Sequence, residues 1–331
     1  MPGWAKGVVC DRLSLLEPLD WWIPRGPAYR LGGISDIPKR LTPPNLRVRE
    51  AHMQRKTVLD LQKMKANNEK IAMITAYDAA MAKLVDAGGV DMVLVGDSLG
   101  MVIQGMDDTL SVTLDDMVYH GRCVARGLQN AHLTIDMPFM SYQVSPEAAL
   151  QSAGRLVQEG KAQSVKLEGG VRSAPAIERI VTAGIPVVGH IGLTPQSVNT
   201  LGGWRVQGRG DAAAEALMAD ALAVQEAGAF CLVLEMVPAE LAQEVSAALH
   251  IPTIGIGAGV GCDGQVLVCN DLLGFDMGFS PKFLKRFAEL QNPITAAVAQ
   301  YVDEVRQGVF PADEHSFHRK RQTASKVARL Y

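Results

Sequence analysis

From about residue 55 onwards the chain alternates short apolar runs with longer amphipathic segments. The run at 91–95 (Asp-Met-Val-Leu-Val) lies between glycines and is followed by a carboxylate, a pattern typical of a strand buried on both faces of a parallel sheet. The same pattern predicts further strands at 70–75, 132–136, 164–168, 185–190, 229–235 and 251–257, with a short one at 265–269.

The segments between these strands have helical periodicity and predict helices at 79–87, 114–127, 147–159, 172–183, 211–227, 238–249, 281–290 and 293–307. Thr113 and Ser145 are predicted N-caps, the latter with Pro146 at the first helical position. Another short amphipathic helix at 57–67 is placed to close one end of the sheet. Strand and helix repeated about eight times predict an α/β fold, a (β/α)8 TIM barrel.

The alternative architecture is an open, doubly wound sheet. Its usual dinucleotide fingerprint is missing, because the glycine cluster at 255–261 lacks GxGxxG spacing and no GxxxxGK[ST] motif occurs. The barrel is therefore the favoured fold.

Composition narrows the class of protein. The chain has 331 residues, 48% hydrophobic and 20% charged, which is ordinary for a globular domain, and a net charge of −3 gives no electrostatic reason to expect nucleic acid or a membrane as partner. No apolar run approaches the length of a transmembrane helix. Five cysteines without a CxxC pair indicate free thiols in a reducing cytosol, so we expect a cytoplasmic protein.

Three regions are predicted. Residues 1–52 hold seven of the 17 prolines and three of the four tryptophans without any persistent period, and we expect a disordered extension without catalytic role. Residues 53–318 form the catalytic barrel, and 319–331 a basic, solvated tail. Met53 is a candidate true start, a hypothesis that an intact mass of the native protein beginning at residue 1 or 2 would exclude.

Acidic residues end four of the predicted strands: Asp97, Asp136, Glu168 and Glu235. In a barrel the carboxyl ends of all strands meet at one pocket, so these side chains are expected to share it. Three carboxylates without a cysteine cluster favour a hard divalent cation, Mg²⁺ before Zn²⁺. Asp97, Asp136 and Glu168 are therefore the candidate metal ligands.

Lys166 and Glu168 stand two positions apart on one strand, so both point into the barrel. Lys166 is a candidate for binding a substrate carboxylate or enolate, the alternative being an ion-pair partner alone. Glu235 ends an apolar run and is the candidate general base, the alternative being a structural acid bonded to a helix terminus.

Two further residues have more than one interpretation. His190 ends the fifth strand and faces the same rim, where it is either a buried structural histidine or a hydrogen-bond partner of the substrate or of a metal-bound water. Ser98 either contacts the substrate or caps the turn that follows it. The loop 196–210, with paired glycines, is a candidate lid that excludes water.

Eight motifs follow one another along the chain: Thr-Ala-Tyr-Asp (75–78), Leu-Val-Gly-Asp-Ser-Leu-Gly-Met (94–101), Asp-Met-Pro-Phe-Met (136–140), Val-Lys-Leu-Glu-Gly-Gly (165–170), Gly-His-Ile-Gly-Leu-Thr-Pro-Gln-Ser (189–197), Val-Gln-Gly-Arg (206–209), Leu-Glu-Met-Val-Pro (234–238) and Ile-Gly-Ile-Gly-Ala-Gly (254–259). With the ending Glu-His-Ser-Phe-His at 314–318, this order resembles the ketopantoate hydroxymethyltransferase family from about residue 55 to His318. Residues 1–52 and the basic tail depart from the family without touching its motifs.

The resemblance implies a Mg²⁺-dependent barrel of the phosphoenolpyruvate/pyruvate superfamily with one Mg²⁺ per subunit. It implies transfer of a hydroxymethyl group from 5,10-methylenetetrahydrofolate to 3-methyl-2-oxobutanoate by Mg-assisted enolisation, giving 2-dehydropantoate for pantothenate and coenzyme A synthesis. Carried over by position, Asp97 and Asp136 ligate Mg²⁺ with Glu168 in or near its shell, and Glu235 is the proton acceptor. The oxo acid would be held by four side chains: Asp97, Ser98, Asp136 and Lys166.

The family also implies a cytoplasmic homo-oligomer, often a decamer. Two other functions compete with the transferase. A Mg²⁺-dependent 2-oxo acid aldolase or lyase on the same barrel would work without folate. A non-catalytic barrel would be expected to have lost some of the four acids, and all four are present.

Overall fold

The structure, a computed structural model, describes residues 55–275 and 281–319. The predicted extension at 1–52 and nearly all of the basic tail at 319–331 lie outside the described residues. None of the described helices is both long enough and apolar enough to cross a membrane.

Eight parallel strands close into a barrel in sequence order, and the eighth pairs with the first. The strands are β1 Ile71–Thr75, β2 Met92–Val95, β3 His132–Asp136, β4 Ser164–Glu168, β5 Val187–Gly192, β6 Cys231–Glu235, β7 Thr253–Ile256 and β8 Gly264–Leu267. The (β/α)8 prediction is confirmed. The open sheet is excluded because each of the eight strands is hydrogen-bonded to a neighbouring strand on both sides.

The described helices are α1 Val58–Ala66, α2 Ala79–Ala87, α3 Leu99–Val102, α4 Leu114–Gly127, α5 Pro146–Gln158, α6 Ala174–Thr182, α7 Val198–Leu201, α8 Asp211–Glu226, α9 Ala239–Ala248, α10 Cys269–Leu273 and α11 Gln291–Gln307. Both predicted N-caps are confirmed, since Thr113 Oγ1 accepts from Asp116 N at 3.2 Å and Ser145 Oγ accepts from Ala148 N at 3.1 Å.

The prediction of a helix at 281–290 is wrong. Its backbone bonds run to α10 instead of along a helix: Phe287 N donates to Leu272 O at 2.9 Å, and Leu290 N donates to Leu273 O at 3.0 Å. The segment is therefore held in turns against the preceding helix.

Two apolar layers fill the fold. Side chains on alternate strand positions pack inside the barrel, and the others pack under the helices. Leu61 of α1 is fully buried in the interior cluster with Ile71 and Met92, the first residues of β1 and β2. Helix α1 therefore closes the amino-terminal end, as predicted, and leaves the carboxyl ends of the strands for the polar side chains.

One part of the barrel wall is left exposed by the helices that the structure describes. Ala72 and Gln265 face each other in the β1–β8 register and are exposed, although both belong to barrel strands. The last described helix, α11, contains no buried residue.

Candidate active site

Strand register brings the predicted polar side chains together. Asp136 stands opposite Lys166, and Glu168 stands opposite His190, at the carboxyl ends of adjacent strands. Lys166 Nζ lies 3.0 Å from Asp136 Oδ1, and His190 Nδ1 lies 3.3 Å from Glu168 Oε1. On the other side of the ring, His190 Nε2 lies 3.2 Å from Glu235 Oε2. These residues thus form one continuous polar chain across four strands.

Asp97 and Ser98 come from the turn after β2. Asp97 N donates to Asp136 Oδ2 at 3.1 Å, which ties this turn to β3. A side chain at Gly96 would meet Ser98 Oγ at 2.7 Å, so the glycine permits this close packing. Ser98 makes no capping bond to α3, and its hydroxyl lies 2.8 Å from Tyr77 Oη. The capping interpretation of Ser98 is therefore excluded.

A single cavity of about 610 Å³ is lined by all the predicted site residues: Asp97, Ser98, Asp136, Lys166, Glu168, His190 and Glu235. Its remaining wall is largely apolar and includes Met101, Met106, Trp204, Met236 and Phe283. The floor is therefore charged and the mouth hydrophobic, a combination typical of sites for small organic ligands.

Negative charge exceeds positive charge on the cavity floor. Burial, followed by the charges of Asp136 and Glu168, raises the pKa of Asp97 to about 8. Burial also raises the pKa of Asp136, although Lys166 opposes it. Burial lowers the pKa of Lys166, but Asp136, Glu168 and Asp97 outweigh it and raise that pKa above its ordinary value. One ammonium thus faces three buried carboxylates.

His190 stands between two of the acids. Burial and then the charge of Lys166 lower its pKa, yet its close contacts with the carboxylates of Glu168 and Glu235 prevail and raise the pKa to about 9. A side chain so fully enclosed, 2% exposed, is positioned by its partners and cannot rotate freely. Its Nε2 lies 3.2 Å from Glu235 Oε2, close enough for the protonated ring to attract that carboxylate.

The donor set fits a Mg²⁺ ion with open positions. Asp136 Oδ1 and Glu168 Oε1 are buried and accept no hydrogen bond of good geometry, although Lys166 and His190 lie near them. Across the described residues no three His, Cys, Asp or Glu side chains form a ready-made metal cluster. Mg²⁺ usually takes one or two protein carboxylates and fills its shell with water and substrate, so these acids suit it.

Sequence reasoning missed two residues of the site. Gln196 Nε2 donates to Asp97 Oδ2 at 2.8 Å, and Tyr142 Oη donates to Gln196 Oε1 at 2.7 Å. Tyr142 lies in a loop and Gln196 in a single 3-10 turn, Pro195–Ser197, and neither segment is long enough for a periodicity that would mark an amide or a phenol. The one available signal was the position of Gln196 within the motif at 189–197.

In fold, the chain is a closed (β/α)8 barrel that resembles several solved enzymes. A 2,3-dimethylmalate lyase described as a member of the PEP mutase/isocitrate lyase superfamily superposes with a TM-score of 0.50 at 16% identity, covering 80% of this chain and 90% of that one. A phosphonopyruvate hydrolase, solved in complex with oxalate and Mg²⁺, superposes with a TM-score of 0.52 at 10% identity, covering 78% and 93%.

The sequence comparisons are more specific. The family model described as ketopantoate hydroxymethyltransferase matches residues 55–313. The 3-methyl-2-oxobutanoate hydroxymethyltransferase of Syntrophotalea carbinolica is 60% identical over 264 residues, covering 80% of this chain and 99% of that protein. The chain belongs to the ketopantoate hydroxymethyltransferase family and is an enzyme, a transferase.

Proposed function

We propose that this enzyme transfers the one-carbon unit of 5,10-methylenetetrahydrofolate to 3-methyl-2-oxobutanoate as a hydroxymethyl group, with water supplying the hydroxyl. The products would be tetrahydrofolate and 2-dehydropantoate, the latter for pantothenate and coenzyme A synthesis. Family membership supports the reaction class. The observation that carries the chemistry is the pairing of His190 Nε2 with Glu235 Oε2, at 3.2 Å, in the same cavity as the Lys166–Asp136 ion pair.

Carbon–carbon bond formation at C3 of the oxo acid requires removal of the C3 proton. Glu235 is the proposed acceptor, because its carboxylate is partly exposed to the cavity, with 14% of the side chain accessible, while His190 orients it. Lys166 would bind the negatively charged oxygens of the oxo acid, since it is the one lysine among the described residues that line the cavity. Ser98 lines the cavity, and its hydroxyl lies 2.8 Å from Tyr77 Oη. When Tyr77 is the donor in that hydrogen bond, the Ser98 hydroxyl hydrogen is available to the substrate.

Asp97 and Asp136, with Glu168 beside them, are the residues that would hold one Mg²⁺ per subunit. When bound there, the ion supplies a Lewis acid that polarises the ketone and makes the C3 proton more acidic. Asp97, Asp136 and Lys166 would also fix the orientation of the oxo acid. The buried, unfilled acceptor positions on Asp136 and Glu168 support this assignment.

The apolar mouth of the cavity has room for more than the oxo acid. A volume of about 610 Å³ lies in the range of sites for drug-sized ligands, and a five-carbon acid fills a small part of it. The one-carbon donor would occupy the rest. Segment 196–210 is the proposed lid, because Trp204 lines the mouth and Gln207 N donates to Met236 O at 2.9 Å, next to Glu235.

The partners proposed are these two small molecules and further copies of the chain, with neither nucleic acid nor membrane. The exposed helix α11 supports a homo-oligomer. The four cysteines among the described residues are free thiols, which supports a cytoplasmic location.

Proton NMR of 3-methyl-2-oxobutanoate in D₂O, with purified protein and Mg²⁺, tests the proposal before and after tetrahydrofolate and formaldehyde are added. We expect loss of the C3 proton signal and then a hydroxymethyl product. Exchange without product would favour the aldolase or lyase alternative on the same site. A folded protein that gives neither exchange nor product would contradict the proposed substrate.

A further inference from the structure

We propose that Gln196 is a positioning residue that sets the orientation of Asp97 and Glu168 in the active site. The inference rests on the proposed function insofar as these two acids serve the metal and the substrate. Gln196 itself is not among the residues that line the cavity, so it acts through the carboxylates that it holds.

Gln196 is 6% exposed and donates three hydrogen bonds. Its Nε2 donates to Asp97 Oδ2 at 2.8 Å and to Met137 O at 2.9 Å. Its backbone N donates to Glu168 Oε2 at 3.1 Å. One residue of the loop after β5 therefore fixes acids that arrive from β2 and β4.

The orientation of the amide is determined by its surroundings. Its Oε1 accepts from Tyr142 Oη at 2.7 Å and from Gln143 Nε2 at 3.0 Å. If the amide were reversed, its NH2 group would face the donors of Tyr142 and Gln143. Its oxygen would then face the Asp97 carboxylate and the Met137 carbonyl. Tyr142 is fixed in turn, because its hydroxyl accepts from Glu168 N at 3.1 Å.

This arrangement explains which carboxylate oxygen is left for a ligand. Because Glu168 Oε2 is held by Gln196 N, Oε1 is the oxygen that remains buried without a well-formed hydrogen bond. The neutral amide of Gln196 is also suited to Asp97. It orients the carboxylate by a hydrogen bond and leaves the negative charge un-neutralised, so that charge remains to attract a divalent cation. Partners of this kind orient ligating groups, and their loss typically weakens metal binding about 10–100-fold.

Gln196→Leu keeps the approximate size of the side chain and removes the amide. Binding of Mn²⁺, followed by water proton relaxation without substrate, is expected to weaken about 10–100-fold. We also expect KM for the oxo acid to rise by more than kcat falls, because Glu235 and His190 are untouched. Gln151→Leu is the matched control, since Gln151 is an exposed glutamine of α5 outside the cavity, and both measurements should stay within about twofold of wild type.

Tyr142→Phe provides a second variant in case Gln196→Leu does not fold. It keeps the buried ring and removes the hydroxyl that fixes Gln196 Oε1, so an intermediate loss of Mn²⁺ affinity is expected. Wild-type Mn²⁺ affinity in a folded Gln196→Leu protein would overturn the inference. If Mn²⁺ binding weakens as expected but the wild-type enzyme makes no hydroxymethyl product, the positioning role holds and the proposed function fails.

Discussion

Glu235 and His190 form the pair on which proton transfer would depend. Their contact at 3.2 Å places an acid of β6 against an imidazole of β5, and no other described carboxylate lies within reach of that ring nitrogen in an ion pair. Replacing the carboxylate by an amide of the same shape removes the proton acceptor and keeps the volume. Substrate binding and catalysis should therefore separate.

For Glu235→Gln we expect kcat to fall by about 10²–10⁴, the usual contribution of a general base, with binding of the oxo acid nearly unchanged. Steady-state kinetics and C3 deuterium exchange measure the two effects. Glu240→Gln, at an exposed glutamate of α9, is the control and should behave as wild type. Wild-type exchange in Glu235→Gln would refute the assignment.

His132 illustrates a buried histidine with a structural role. It is 1% exposed, with Nδ1 at 3.0 Å from Lys56 O and Nε2 at 2.9 Å from Ser164 Oγ. Burial lowers its pKa to about 4, so the folded protein keeps the ring neutral. The unfolded chain takes up a proton near pH 6.5, and the stability that His132 contributes above that pH is lost as pH falls towards 4.

The size of this effect is about 3 kcal/mol, from the shift in pKa. Urea unfolding midpoints between pH 7 and 4 are expected to fall less steeply for His132→Gln than for wild type. His250→Gln, at an exposed histidine, should follow the wild-type curve. Parallel curves for wild type and His132→Gln would show that another group causes the acid sensitivity.

The acids of the site were predictable residue by residue, but their amide and phenol partners were not. Asp136 and Glu168 end apolar runs, and strand periodicity together with barrel closure places both at one rim. Gln196 contacts Asp97 across 99 positions of sequence. A neutral residue gains its role only from that long-range contact, and its local sequence marks it only by its place in the motif at 189–197.

At the scale of elements, helices α4 and α5 each carry a glycine with a different environment. A Cβ at Gly121 would lie 2.4 Å from Ile135 Cδ1 and 2.9 Å from Gly160 O, so the close approach of α4 to the sheet depends on this glycine. A Cβ at Gly154 would meet nothing within 4 Å. The same substitution should therefore have opposite effects on the two helices.

We expect Gly121→Ala to destabilise the protein by about 1–3 kcal/mol through overpacking. Gly154→Ala should stabilise it by about 0.5–1 kcal/mol, because alanine lowers the entropy lost when the helix forms. Urea denaturation of both variants beside wild type measures the difference. A Gly121→Ala protein stabilised as much as Gly154→Ala would mean that packing around Gly121 relaxes at no cost, and a destabilised Gly154→Ala protein would contradict the prediction for α5.

The observed boundaries of some elements differ from the predicted ones, but the predicted site residues still lie in one cavity. Strand β5 was predicted at 185–190 and lies at Val187–Gly192, but His190 still points into the barrel because side-chain direction depends on alternation within the strand. The helix predicted at 281–290 failed for another reason. Apolar periodicity shows which side chains would share one face if the segment were helical. Here the backbone N–H groups bond instead to the carbonyls of Leu272 and Leu273, so no helix forms.

At the scale of the whole molecule, helix α11 buries none of its residues against the described part of the chain. Ile294, Val298, Tyr301 and Val305 follow helical spacing along one face and are each 45–57% exposed. An exposed apolar stripe of this kind marks a protein–protein contact. Ala72 and Gln265 are exposed to the rest of the described structure on a barrel surface that elsewhere carries a helix, so a second copy of the chain is the proposed occupant.

The assembly can be tested from both surfaces. We expect wild type to be an oligomer, and Val298→Asp combined with Tyr301→Asp to lower the mass measured by analytical ultracentrifugation, because charges interrupt the apolar stripe. Ala296→Asp with Ala299→Asp is the control, since it adds the same charges at the same spacing to exposed positions away from that face. Ala72→Arg should lower the mass as the stripe variant does if α11 of another copy covers β1 and β8. A monomeric wild type would exclude self-association, and an Ala72→Arg protein of unchanged mass would mean that α11 docks elsewhere on its neighbour.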